Sequence, residues 1–193
     1  MNTRDEQGVS GASPEIGEPV DPALRSAVLE IEAHVAESGW DQPARLYALV
    51  PTGDLVSREP ALAAAMGLDT GADASPEGLT PVEQDDVPPH ESLETVLGRI
   101  MWPAEVFGAA AAVERLVLPP EADAAMPVEP EAAERYAAEH PNRHEVRIVA
   151  GATRDGSTYC ALRMRAHDDA HSVLESPDLV PTLLQLVRDT LDT

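Results

Sequence analysis

The sequence predicts an α+β fold, an antiparallel sheet of about four strands with two or three amphipathic helices packed on it. Three stretches carry that expectation. Leu24, Val28, Ile31 and Val35 recur at helical spacing and form one apolar stripe. Leu179, Val180, Leu183, Leu184, Val187 and Leu191 form a second, broader apolar face near the C-terminus. Between them, residues 143–169 (RHEVRIVAGATRDGSTYCALRMRAHDD) run as two strand-like segments around Asp155-Gly156 and read as a β-hairpin.

The elements follow in order. Residues 1–20 are polar and aperiodic, rich in glycine, serine, proline and acids, the composition of a disordered tail; residues 21–193 read as one α+β domain. Asp21-Pro22 pairs a capping residue with a proline at the first helical position, and Gly39 closes that helix. His34 falls at the edge of the stripe, the place of a surface histidine. Trp40 is set to anchor the turn, and Arg45 to Val50 is a short strand ended by Pro51. Asp54 to Met66 reads as one or two helical turns broken before Pro60. Residues 67–90 read as a long acidic loop, with Leu79 and Val82 as anchors, either solvated or a docking strip for a basic partner.

Ser92 caps a helix whose apolar positions are Leu93, Val96, Leu97, Ile100 and Met101, and Trp102-Pro103 ends it. From Val106 to Leu118 the pattern turns strand-like around Glu114-Arg115, until Pro119-Pro120 stops it. Residues 121–129 read as loop, and Pro130 to Glu139 as an alanine-rich surface helix anchored by Tyr136. Asp178 to Leu191 is the last helix.

Composition excludes several function classes. The net charge is −22 over 193 residues, which argues against duplex nucleic acid, where phosphate contacts supply most of the affinity, and against an anionic membrane surface. One Phe, two Trp and three Tyr are too few rings for a base-stacking platform. All 13 basic residues are arginine, so no Schiff-base lysine, pyridoxal phosphate aldimine, P-loop or kinase-type lysine can be present. The single cysteine, Cys160, excludes an intrachain disulfide, a redox pair and a cysteine-clustered metal site, and its place within a strand reads as core. No signal core or membrane-length apolar run is present, so the expected setting is cytoplasmic.

The hairpin register can be argued from faces. A two-residue turn would pair Ile148 with Arg163 and Val146 with Arg165, mixing apolar and charged side chains. A three-residue loop, Arg154-Asp155-Gly156 with a left-handed glycine, pairs Ile148 with Leu162, Val146 with Met164 and Ala150 with Cys160. One face then becomes wholly apolar, which selects the second register. The other face sets Glu145 opposite Arg165 and Arg147 opposite Arg163. Like charges directly opposed destabilise a sheet unless an anion lies between them. That anion is either internal, with Glu114 or Asp168 as candidates, or a bound carboxylate or phosphate gripped by guanidinium forks.

His167-Asp168-Asp169 with His171 is the one His/carboxylate cluster. Such a set can hold a divalent metal or orient a base, but its spacing matches no zinc signature and reads as a polar strand exit. Ser172 and Ser176 lie nearby without a GxSxG elbow. No catalytic residue, cofactor or metal is assigned.

The segments EIEAHVAESGWDQPARLYALVPT, LTPVEQDDVP, VERLVLPPEA, HEVRIVAGATRDGSTYCALRMRAHDD and SPDLVP, spread over residues 21–191, resemble an actinobacterial family of small acidic single-domain proteins of unknown function. The resemblance implies one domain in a bacterial cytoplasm and carries over no activity, cofactor or catalytic residue. The functional expectation is therefore a non-enzymatic binding or accessory module acting through a protein partner, with a basic protein or a second copy of the chain as the partner classes. The alternative is a small-molecule anion binder or minor hydrolase using Arg147, Arg163, Arg165, Glu114, His167 and Asp168.

Overall fold

The computed structural model describes residues 20–65, 67–68, 77–84, 87–88 and 91–192; the tail read over 1–20 lies, Val20 apart, outside them. Helix α1 (Pro22–Glu37) starts where expected, the Asp21 carboxylate accepting the Ala23 N–H at 2.9 Å with Pro22 in the first turn. It buries Leu24, Ala27, Val28, Ile31 and Val35. The chain then turns through Gly39 at φ +77° and Asp41 at φ +66°. Strand β1 (Arg45–Pro51) leads into α2 (Thr52–Arg58) and α3 (Pro60–Ala65), the broken helix expected before and after residue 59.

The stretch read as one loop over 67–90 holds a strand, β2 (Leu79–Glu83), antiparallel to β1. Its Pro81 hid it from a sequence reading, because proline cannot donate to a ladder. The register explains why Pro81 is tolerated. Thr52 N–H bonds to Gly78 and Gln84 N–H to Leu46, so even-numbered residues of β2 bond to β1 and the missing N–H of Pro81 faces outward.

Helix α4 (Leu93–Leu97) is shorter than its apolar repeat suggests. Ser92 caps it through the Thr95 N–H, but Gly98 ends it, and Met101 is left 73 % exposed. Strand β3 (Gly108–Val117), α5 (Pro120–Ala124), α6 (Pro130–Glu139), β4 (His144–Thr153) and β5 (Thr158–Met164) follow. Two 3-10 turns then lead to β6 (Leu174–Ser176) and α7 (Pro181–Asp189). The β4–β5 hairpin has the expected register, with Ile148 opposite Leu162, Val146 opposite Met164, and Ala150 opposite Cys160. The loop is Arg154-Asp155-Gly156, with Gly156 at φ +92°.

The fold is α+β, but the sheet has six strands rather than about four, in the order β2-β1-β3-β4-β5-β6, all antiparallel. The strands missed are the two edges, β2 and β6. Three residues of β6 carry no periodicity a sequence reading could use. Tertiary contacts hold it: Arg25 on α1 reaches Glu175 at 2.6 Å, and the Tyr159 hydroxyl donates to the same carboxylate at 2.9 Å.

Both faces of the sheet are covered. Tyr47, Leu49, Ala110, Ala112, Val149 and Ala161 pack under α1, while Leu46, Ala48, Ala109, Ala111, Val146 and Ile148 pack under α4 and α7. The hairpin face expected to be polar is therefore interior as well, and β4 is buried from Val146 through Thr153. Alanines 109–112 at the centre keep the sheet thin, so helices approach closely from both sides. Arg154, at the hairpin tip, donates to the carbonyls of Val106, Leu191, Trp102 and Pro103, tying the end of α7 to the loop before β3.

The close seat of α1 depends on Gly151. A β-carbon there would stand 2.8 Å from Val28 Cγ2 and 3.1 Å from Leu24 Cδ1. Gly151→Ala is expected to lower unfolding free energy by about 1–3 kcal/mol through overpacking, read from urea denaturation. A variant as stable as the native protein would show that α1 shifts freely on the sheet.

A candidate functional site at the arginine face of the hairpin

The candidate residues sit where the β4–β5 ladder passes beneath the end of α1 and the turn that follows it. Arg147 and Arg163 are directly opposed, as expected, and both are interior, at 1 % and 6 % exposure. Two guanidiniums in that position cannot stay without carboxylates, because an unpaired buried charge is strongly destabilising. The structure supplies them from three elements. Glu32 of α1, itself 3 % exposed, takes Arg163 in a two-point grip, Oε1 to Nε at 2.6 Å and Oε2 to Nη2 at 2.7 Å. Asp168, in the turn after β5, approaches Arg163 Nη1 at 3.4 Å. Glu114 of β3 reaches Arg147 Nη2 at 3.2 Å, and the same nitrogen donates to the Gly39 carbonyl.

Trp40 closes the cluster. Its ring lies 4.3 Å from the Arg147 guanidinium and 5.6 Å from that of Arg165, in cation–π range, and its Nε1–H donates to Asp168 at 2.8 Å. The unusual backbone at Asp41 has a matching cause. Its N–H donates to Glu114 Oε2 at 2.8 Å, and its carboxylate accepts two bonds from Arg165, each 2.9 Å. Arg165 also meets Glu145 at 2.6 Å, the cross-strand pair the register implied, although Arg165 already lies in the first 3-10 turn.

The electrostatics follow from these contacts. The Glu32 grip raises the Arg163 pKa above its ordinary value, and the hydrogen bonds from Arg165 hold Asp41 below the usual carboxylate range. Burial pushes the Cys160 thiol up to about 11, which leaves it a protonated core side chain. One irregularity remains: Arg147 Nε and Nη1 are buried and have no hydrogen-bond partner among the described residues.

Of the six residues singled out from sequence, Arg147, Arg163, Arg165, Glu114 and Asp168 come together. His167 lies exposed in the 3-10 turn, and no ion pair joins it to them. Asp169 caps the second 3-10 turn, accepting the His171 N–H at 3.0 Å and the Ser172 hydroxyl at 2.6 Å. Among the described residues, no three His, Cys, Asp or Glu side chains converge in a metal-holding group. Sequence reasoning missed Glu32, Trp40 and Asp41 as members. Glu32 had a signal: it stands four residues after Val28 and three before Val35, on the apolar stripe itself.

Residues 24–192 match the family described as PPA1309-like protein. The chain belongs to that family. No curated protein and no solved structure matches the chain. The span matched in this PPA1309-like protein runs from α1 through α7, so it contains the whole arginine cluster and the sheet beneath it.

Beside the cluster, two shallow depressions of about 370 and 300 Å³ share Glu114 and Arg115 and run along β3. Glu91 and Glu94 line the first, Asp41, Glu145 and Arg165 the second.

Removing one partner of the buried ion pair separates architecture from decoration. Glu32→Gln leaves Arg163 without its two-point carboxylate and is expected to cost about 3–5 kcal/mol of stability. The combined Glu32→Leu, Arg163→Met variant should recover most of that loss, because neither buried charge then remains. A single substitution that left the urea midpoint unchanged would contradict this account.

Proposed function

We propose that this PPA1309-like protein is a non-enzymatic binding module that acts through a protein partner in the cytoplasm of a bacterium. The observation that carries the reading is the internal neutralisation of the arginine face. Arg163, Arg147 and Arg165 each meet a carboxylate of the chain itself, so the charge concentrated there serves the fold. The excess acid lies elsewhere, in a molecule of net charge −22, and favours a basic protein surface over a nucleic acid or an acidic one. The actinobacterial and acidic character of the family belongs to the same proposal. A pull-down with the tagged protein from native lysate is expected to recover a stoichiometric basic partner that is released as salt rises. Recovery of no such partner would overturn the reading.

A second reading, an anion binder at the arginine face, rests on the two unpartnered nitrogens of Arg147. A thermal-shift panel of phosphates and carboxylates tests it: a compound that raises Tm in the native protein and not in Arg147→Met would support it, and no shift from any compound would remove it.

A further inference from the structure

Strand β3 is longer than its partner on one side. It pairs with β4 over its full length, Gly108 to Val117, but with β1 only from Gly108 to Ala112, where Arg45 stands opposite Ala112. Continuing that register would set Pro43 opposite Glu114, and proline has no N–H to give. The ladder stops there. Among the described residues, Val113–Val117 therefore pairs with a strand on one side alone.

The direction of the outward backbone groups follows from the ladder, and one of them, the Glu114 carbonyl, accepts from Arg115 Nη1 at 3.4 Å. Arg154 N–H donates to the Phe107 carbonyl at 2.9 Å, in line with the β3–β4 register. In an antiparallel pair bonding alternates, so Val113, Arg115 and Val117 bond to β4 while the N–H and C=O of Glu114 and Leu116 point to the open side. Leu116 and Val117 are 43 % and 42 % exposed. An exposed edge of this kind is what sheet proteins ordinarily cover or block.

The surroundings specify what it can take. One of the two depressions is bounded by Gln42 and Ala44 on one side and the start of α4 on the other; the second reaches over Glu145 and Arg165, on the side of β3 that pairs with β4. Five carboxylates line them, Asp41, Glu91, Glu94, Glu114 and Glu145, and four arginines of the chain pair with these, Arg99, Arg115, Arg147 and Arg165, which leaves one negative charge in excess within a molecule of net charge −22. A second copy of the chain would bring the same excess of carboxylates to the same edge.

We propose that the open edge of β3, Val113–Val117, is a docking rail on which an extended, arginine- or lysine-bearing segment of a partner protein adds to the sheet as a strand. The inference rests on the partner-binding reading above. Backbone bonds to Glu114 and Leu116 supply affinity without sequence preference, and the acidic excess of the molecule, net charge −22, favours basic side chains on the added strand. No chemical change in either chain is involved.

The probe is a short fluorescent peptide alternating valine and arginine, with a valine–aspartate peptide as control. The arginine peptide is expected to bind, more weakly as salt rises, and to slow amide hydrogen exchange at Glu114 and Leu116. Leu116→Pro removes one outward N–H and leaves the bonds to β4 in place; it should weaken binding by about tenfold or more. Should that variant fail to fold, Glu94→Lys, at an exposed position, is expected to weaken the arginine peptide and leave the fold intact. Equal binding of the two peptides, or undiminished binding by both variants, would overturn the proposal. So would a native dimer in sedimentation that Leu116→Pro dissociates, because a second copy would then occupy the edge. A stoichiometric partner from the pull-down that Leu116→Pro retains would remove the edge assignment and leave the partner-binding function standing, whereas a pull-down without any partner removes the function itself.

Discussion

Two guanidiniums held side by side in a β-ladder impose the condition that the rest of this structure meets. Arg147 and Arg163 face the same side of the sheet, and that side is covered by α1. Their mutual repulsion in an interior of low polarity would exceed what a marginally stable domain can tolerate. The carboxylates that answer it come from α1, β3 and the turn after β5. These elements are far apart in sequence, so the same ion pairs that neutralise the charge also fix where α1 lies across the strands.

The turn at 39–41 is shaped by the same condition. Trp40 spreads its ring over Arg147 and reaches Asp168, and Asp41 adopts a left-handed backbone that brings its N–H to Glu114 and its carboxylate to Arg165. A non-glycine residue in that region is costly unless neighbours compensate, and here two charged neighbours, Glu114 and Arg165, do so. The turn ends shortly before β1 begins, and Pro43, which would stand opposite Glu114, prevents the ladder from extending back.

This arrangement separates the charges that build the protein from those that surround it. Arg147 and Arg163 are folded inward, Arg165 stays at the surface, and all three are balanced by carboxylates of the chain, while the acidic excess lies elsewhere. A small domain that buries ion pairs gains specificity of arrangement more than raw stability, because desolvation offsets much of the attraction. Here the arrangement fixed is the position of one helix and one turn against a strand edge that stays open.

The amino-acid sequence alone determined the hairpin register, since only one pairing keeps Val146, Ile148 and Ala150 opposite apolar partners, and it located the first helix and its cap from Asp21-Pro22. It also identified the Arg147–Arg163 conflict and two of the carboxylates that relieve it, because cross-strand neighbours are fixed once register is known. The edge strands, the burial of both sheet faces and the role of Glu32 were decided by tertiary structure. A three-residue strand or one containing proline has no local signature and exists only through its neighbour's hydrogen bonds. Glu32 carries a charge that local pattern assigns to solvent, and only the arrival of α1 over Arg163 turns it into the carboxylate the hairpin requires.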